Sequence, residues 1–367
     1  MEISKNRNYG VDLLRIIATF MICILHMLKR GGIIDNTVFM SLEYETAWFF
    51  ETACIGAVNI YALISGFIGY KSKHTISSYV RLWLTVFIIM LSFTIFYQIY
   101  DASTVVWTDW VKVFFPVSTR QYWYFSSFTV LFLFLPLLKP AIEKLTQKQF
   151  KMIIMSSLIF FSLLYTLFYN NTFFDPIWGQ NNEPFGLLDG YSGIWLIELF
   201  LVGAYFGKYG FPKFLQKKFG LIFYFGCVII AWSSRILIEY LVNNKDISSQ
   251  YFYLASYTSP FIVLSSIGLL AAFSQMNIKN PFKKVIAFLA PSMFTVYIAQ
   301  TQPLLWTNFI KDLLKPFASY NVFAIVGIVL LASICIFVAG VIIDKIISLI
   351  IDLTKILEGV KKLENTF

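Results

Sequence analysis

Apolar residues fall into ten long blocks, roughly 11–30, 48–70, 79–100, 122–140, 151–170, 192–209, 219–242, 252–275, 286–309 and 321–351, with short polar stretches between them. A run of about 20 apolar residues in a helix matches the ~30 Å hydrocarbon core of a bilayer. Long unbroken runs of this kind call for helices, which satisfy their own backbone groups in lipid, and not for the alternating pattern of barrel strands. The pattern therefore predicts an all-α integral membrane protein with about ten transmembrane helices. The last block is the longest and is expected to run on into the cytoplasm as an amphipathic tail. No internal repeat stands out and neither end carries a soluble stretch, so residues 1–367 are read as one transmembrane domain with no fused soluble domain. The start, MEISKNRNYG, is polar and leads into the first block without a small-residue cleavage site after it; it is read as retained.

Composition agrees. The chain is 58% hydrophobic and only 13% charged, against about 25% charged in a soluble domain. Aromatic residues, at 19%, suit belts at the membrane interfaces. The net charge of +9 is not a nucleic-acid signal, because the bases sit in short clusters between apolar blocks. One set of connections carries Lys5, Arg7, Lys71, Lys73, Arg81, Lys139, Lys144, Lys148, Lys151, Lys208, Lys213, Lys217, Lys218, Lys279, Lys283, Lys284, Lys355, Lys361 and Lys362. The alternate set holds acids, among them Glu43, Glu45, Glu51, Asp101, Asp109, Asp175, Glu183 and Asp189. The positive-inside bias puts the basic set, and with ten spans both termini, in the cytoplasm. Lys29, Arg30, Lys112, Arg120, Lys245, Lys311 and Lys315 run against it.

Within the first block, VDLLRIIATFMICILHMLKR, Arg15 and His26 stand 11 positions apart. At ~100° per residue they share one helix face, about three turns and ~16 Å apart. An Arg at the centre of a membrane helix costs ~2.5–3.5 kcal/mol, so the pair needs a reason. Arg15 could snorkel to a headgroup and His26 could be a packed histidine; the functional alternative is a general base or nucleophile with a cation on its face. The only other histidine, His74, lies in the basic stretch KSKHT and reads as solvated. Two histidines in the membrane are not available, so no metal site is expected. There is no P-loop, no dinucleotide fingerprint and no G-x-S-x-G elbow. Cys23, Cys54, Cys227 and Cys335 lie in apolar blocks and read as small hydrophobes. Arg235 and Glu239, four apart, read as an ion pair within one helix. Asp344, near the cytoplasmic end of the last block, could pair with Lys345 or Arg15. The stretch around 171–191, NTFFDPIWGQNNEPFGLLDGY, interleaves polar groups with Trp and Phe, which suits either carbohydrate contact or a solvated loop.

The motif GVDLLRIIATFMICILH, with its Arg-x10-His pair, resembles the first-helix signature of the acyltransferase-3 family of bacterial membrane acyltransferases. GAVNIYALISGFIGY is similar to that family's second-helix pattern ending in I-S-G-F. Arg81 follows where the family has basic residues at the start of the third span. Tyr122, Trp123, Tyr124 and Phe125 resemble its aromatic W-Y/F-L segment. SMFTVYIAQTQP resembles a late S-x-x-x-Y-L-x-H-P segment, with Gln300 roughly where a second histidine is often found.

The resemblance implies transfer of an acyl group, usually acetyl, from cytoplasmic acyl-CoA to a hydroxyl of exopolysaccharide, capsule, O-antigen or peptidoglycan. It implies a multi-pass protein of the bacterial cytoplasmic membrane, with acyl-CoA as donor substrate and no bound cofactor. The residue chemistry is compatible. A sugar hydroxyl needs a base as it attacks a thioester, and histidine titrates near neutrality. Cationic residues at the cytoplasmic mouth would hold the CoA phosphates, Arg15 first and Arg81 second. His26 is then either the base for the acceptor or a transient acyl carrier. Trp123, Glu198, Ser65 and Gln300 are candidates for an acceptor site or tunnel, though Glu198 could equally serve a structural hydrogen bond and Trp123 an interfacial belt. The expected partners are the bilayer, acyl-CoA and a glycan acceptor. The alternative from the spans alone is a transporter of a glycan precursor or small polar solute with His26 as proton relay.

Overall fold

The computed structural model describes residues 7–72, 75–169, 185–216, 218–243, 253–364 and 366. Among them there are helices and no strands. The principal helices are α1 (Tyr9–Lys29), α2 (Leu42–Ile55), α3 (Ala57–Gly69), α4 (Ile76–Tyr100), α5 (Trp123–Lys144), α6 (Gln147–Leu158), α7 (Gly193–Tyr209), α8 (Lys218–Val242), α9 (Pro260–Ser274), α10 (Asn280–Leu289), α11 (Met293–Gln300), α12 (Val322–Thr354) and α13 (Ile356–Glu364). His74 and the stretch at 171–184 lie outside the described residues.

Among the described residues, eight helical stretches are long and apolar enough to cross a membrane: Tyr9–Asn36, Leu42–Gly69, Ile76–Tyr100, Trp123–Lys144, Gln147–Tyr169, Lys218–Val242, Asn280–Gln300 and Val322–Thr354. The other two expected spans correspond to α7, of 17 residues, and α9, of 15 residues. Both are short for a ~20-residue crossing. Both are also largely buried among other helices, so their length need not match the lipid.

The block expected at 286–309 ends earlier, at Gln300. Gln302 caps the next turn through its Oε1, which accepts from the Leu305 amide at 2.8 Å, and Pro303 cannot continue the hydrogen-bond ladder of α11. The last block follows α12 and then breaks at Lys355, which has a left-handed φ of 54°. The amphipathic tail is the separate helix α13, tied back to the start of α4 where the Ile76 amide donates to Glu364 at 2.7 Å.

The centre is made by α1, α3, α7 and α9, while α4, α5, α8 and α12 expose apolar side chains such as Phe96, Leu133, Leu237 and Ile342 on the outside. The closest packing is between α3 and α7, where small residues let backbones touch. A Cβ on Gly66 would lie 1.9 Å from the Phe200 carbonyl oxygen, and one on Gly203 would lie 2.1 Å from that of Leu63. This explains why the I-S-G-F stretch needs its glycine, in the manner of small-residue interfaces in membranes. Gly66→Ala is expected to destabilise by about 1–3 kcal/mol or more. A lowered thermal midpoint and lowered yield of monodisperse protein in detergent would show it; an unchanged midpoint would mean the two helices can separate freely.

Several polar side chains prove structural. Arg235 pairs with Glu239, as its spacing suggests, and also with Glu45 at 3.1 Å, under the rings of Tyr44 and Trp48. Asp344 accepts from Ser292 at 2.7 Å and Thr295 at 2.5 Å, with Lys345 at 3.4 Å, and so ties α12 to α11. The four cysteines are free; three are buried and Cys335 is exposed on the outer side of α12. Glu51 does not belong with the loop acids: it lies inside α2 and is buried.

Candidate active site

α1 carries the site because it is packed on nearly all sides. Asn8 caps it, its side-chain oxygen accepting from the Val11 amide at 3.1 Å, and its amide nitrogen donates to the Ser274 carbonyl at 2.9 Å. Cys23 and Met27 are fully buried. His26 follows on the face that looks toward α5 and α11.

The His26 Nδ1 lies 3.1 Å from the Gln300 Oε1. A carbonyl oxygen can only accept, so with Oε1 facing the ring Nδ1 carries a proton, and in the neutral imidazole of that tautomer Nε2 keeps its lone pair. Gln300 is 2% exposed, which holds the imidazole in one orientation. The indole of Trp306 meets the imidazole edge to face, with ring centres 4.7 Å apart. Trp306 is itself gripped by Arg30, whose Nε donates to its carbonyl at 3.2 Å and whose guanidinium lies 5.5 Å from its ring.

His26 stands where two spaces meet. On the side toward Arg15 is a small chamber of about 50 Å³, lined by Ile22, Tyr61, Trp123, Tyr124, Tyr257 and Tyr297 together with His26. On the side toward Lys29 is a wider vestibule of about 360 Å³, where His26 and Trp123 meet Arg120, Gln121, Thr301 and Thr307. The chamber is aromatic and narrow. The vestibule is more polar.

Arg15 sits at the other end of the chamber's wall. Its Nη1 donates to Asp12 at 2.9 Å, and Asp12 also pairs with Arg7. The Tyr61 hydroxyl donates to the Arg15 carbonyl at 3.2 Å and bonds Thr19. The Tyr61 ring centre lies 6.2 Å from that of Tyr124, and both rings line the chamber with His26. The Arg15 guanidinium is 29% exposed, so it stays accessible beside this aromatic lane.

The structure thus brings together His26, Trp123 and Gln300, with Arg15 joined to them through Tyr61. It places three other sequence candidates elsewhere. Arg81, 44% exposed, faces Asp352 at 3.5 Å and Ser348 at 3.4 Å on α12. Glu198 accepts from Ser157 at 2.8 Å between α7 and α6. The Ser65 hydroxyl donates to the Tyr61 carbonyl at 2.8 Å, one turn back along its own helix. Residues that sequence reasoning did not single out are Asp12, Trp306 and Tyr61. Asp12 carried a signal, being three positions before Arg15 on one helix. Trp306 carried none. Among the described residues no group of histidines, cysteines and carboxylates could hold a metal ion.

Gln300 has a testable part. Gln300→Met, which fills similar space but cannot accept from Nδ1, is expected to lower turnover roughly fivefold to hundredfold, the worth of one buried hydrogen bond of about 1–3 kcal/mol left unmade. Gln300→Glu still accepts and should keep most activity. Equal turnover in wild type and Gln300→Met would remove Gln300 from the site.

Comparison with known proteins adds one finding. No curated protein and no solved structure matches this chain. The acyltransferase-3 family model, described as an acyltransferase domain, matches residues 8–343, from the cap of α1 into α12. That stretch includes His26, Arg15, Trp123 and Gln300, and the chain therefore belongs to the acyltransferase-3 family of membrane acyltransferases.

Proposed function

We propose that this protein moves an acyl group, acetyl in the simplest case, from cytoplasmic acyl-CoA to a hydroxyl of a cell-surface glycan. The observation that carries the reading is the position of His26 between two spaces, a chamber lined by Tyr61, whose hydroxyl reaches the Arg15 carbonyl, and a vestibule lined by Trp306, which Arg30 grips. Ten passes with both termini in the cytoplasm of a bacterial cell put Arg15 at the cytoplasmic end and the vestibule outside. Two of the bases that run against the charge bias are engaged locally, which weakens them as orientation signals: Arg30 with Trp306, and Lys112 with Asp109 at 2.9 Å.

In this reading Arg15 holds a CoA phosphate at the cytoplasmic mouth. The thioester arm threads past Tyr61 and Tyr124, whose aromatic walls exclude water from it. The glycan hydroxyl arrives through the vestibule. His26 Nε2 takes the hydroxyl proton as the oxygen attacks the thioester carbonyl; the C–S bond breaks, and the imidazolium returns the proton to the departing CoA sulfur. The acylated glycan leaves outward and CoA inward.

Radiolabelled acetyl-CoA supplied to purified protein tests the donor class: label exchanged or released as acetate supports the reading, and its complete absence favours a transporter. A topology reporter fused after Phe367 tests the orientation. A signal from outside the cell would contradict the ten-pass arrangement.

A further inference from the structure

Of the bases that run against the charge bias, Arg30 and Lys112 have local partners, whereas the Arg120 side chain takes part in no ion pair or hydrogen bond among the described residues. Its backbone is also held in an unfavourable conformation. Arg120 has a left-handed φ of 50°, which a residue with a Cβ adopts at a cost in free energy. The turn that imposes it is closed by hydrogen bonds. The Arg120 amide donates to the Val117 carbonyl and the Gln121 amide to the Pro116 carbonyl, both at 3.0 Å, and the Ser126 hydroxyl of α5 holds Val117 at 3.0 Å. Glycine would relieve this backbone, yet the position carries a long cation.

The turn leads into α5 and sets Arg120 and Gln121 on the wall of the vestibule, beside Trp123. That space of about 360 Å³ reaches His26 and is large enough for a ligand, since such pockets run from ~300 to 1,000 Å³. The hydroxyl-bearing residues Thr301 and Thr307 line it too, but no carboxylate does among the described residues. Asp312, the first acid after Trp306, turns to Gly32 instead: a Cβ there would lie 2.9 Å from its Oδ1. The Arg30 guanidinium stands against the Trp306 ring that walls the space. The charge at the vestibule is therefore positive. A guanidinium has five donors and no acceptor, so a neutral sugar uses it poorly and an anion uses it fully.

We propose that Arg120 is a specificity-determining residue, which selects an acceptor glycan carrying an anionic group, a carboxylate or a phosphate, close to the hydroxyl acylated at His26. This rests on the acyltransfer reading and adds to it the charge of the acceptor. The anion is held by Arg120 in the vestibule, where Trp123 and Trp306 offer aromatic faces to the sugar ring. The same charge draws an acidic polymer to the mouth, an attraction that salt weakens.

The test uses full-length protein in proteoliposomes, radiolabelled acetyl-CoA, and the cell-envelope glycans of a host lacking this gene, divided by anion exchange into an acidic and a neutral pool. Label in glycan and label released as acetate are both counted. Wild type is expected to label the acidic pool at least tenfold more than the neutral pool at equal sugar content. Carbodiimide-directed reduction of that pool removes carboxylates and spares phosphates: loss of acceptance identifies a carboxylate, and retained acceptance that a phosphatase or phosphodiester cleavage abolishes identifies a phosphate. Arg120→Gln should raise the half-saturating concentration of the acidic pool roughly fivefold or more, with most of the effect there and little on turnover at saturation, and Arg120→Lys should recover part of it. Arg120→Gly, which suits the left-handed φ, should lose the same preference while its thermal midpoint holds or rises, and it decides alone if Arg120→Gln does not fold. Half-saturation unchanged in the folded variants overturns the proposal and marks Arg120 as a lipid-headgroup anchor. Equal labelling of both pools by wild type, or acceptance that survives removal of both kinds of anion, also overturns it. Wild type that releases acetate but labels neither pool overturns the acidic acceptor while sparing donor chemistry. Wild type that yields neither product overturns the acyltransfer reading and this proposal with it.

Discussion

Replacing His26 by Gln is expected to lower acyl transfer about 10²–10⁴-fold, the range a positioned general base supplies. Gln keeps much of the size of the imidazole and can hydrogen-bond to Gln300, but it cannot take a proton at neutral pH. His26→Ala should be at least as inactive. Both should still insert and bind acyl-CoA, because Arg15 lies about 16 Å away along α1, three turns from the imidazole. A histidine that served only packing between Trp306 and Gln300 makes the opposite forecast: the Gln variant would work, and the Ala variant would lose activity only as far as it lost folded protein. Transfer normalised to folded membrane protein separates the two, and substantial normalised activity in His26→Gln would end the catalytic assignment.

Arg15 should show its effect in binding. The guanidinium already gives Nη1 to Asp12, which orients it, and the rest of its fork is left for a phosphate. Lysine is a point charge and cannot copy that geometry. Arg15→Lys is expected to weaken acyl-CoA binding roughly 10–150-fold, the equivalent of one charge-assisted hydrogen bond of about 1.5–3 kcal/mol. Arg15→Ala should weaken it further, and neither should reduce the amount of protein in the membrane much. Calorimetric or filter-binding titration with acetyl-CoA is the check. Unchanged affinity in both variants would reject the donor role and leave Arg15 as a headgroup anchor held by Asp12.

The helices were readable in the sequence because lipid imposes a simple rule: a segment in contact with hydrocarbon must be apolar over its whole length. That rule fails where a segment leaves the lipid. α7 and α9 lie among other helices, so hydropathy marks them as spans while their length falls short. It fails again where a cap overrides composition, as at Gln302 and Pro303, where apolar residues continue but α11 does not. Glu51 was hidden for a related reason. Beside Glu43 and Glu45 it looks like one more acid of an outer connection, yet α2 begins at Leu42 and carries it inward.

The site was legible as far as single-helix geometry reaches. Arg15 and His26 share a face of α1, and that periodicity needs no tertiary knowledge. Gln300 and Trp123 were marked by motif, and both come to rest at His26. Arg81 was marked by the same resemblance and Glu198 as a polar residue within a span, and each has a partner elsewhere, Asp352 and Ser157. The grip of Arg30 on Trp306 joins residues far apart in the chain, and no local pattern announces it.

The most direct test of the account is sidedness. Protein reconstituted in one orientation, with labelled acetyl-CoA on the face that carries Arg15 and envelope glycan on the face that carries the vestibule, should deliver label across the bilayer into glycan. Exchanging the two substrates between faces should stop the transfer, and His26→Gln should stop it in the productive arrangement. Transfer that is equal in both arrangements, or that proceeds without His26, would contradict a reaction in which the two substrates meet at this histidine from opposite sides.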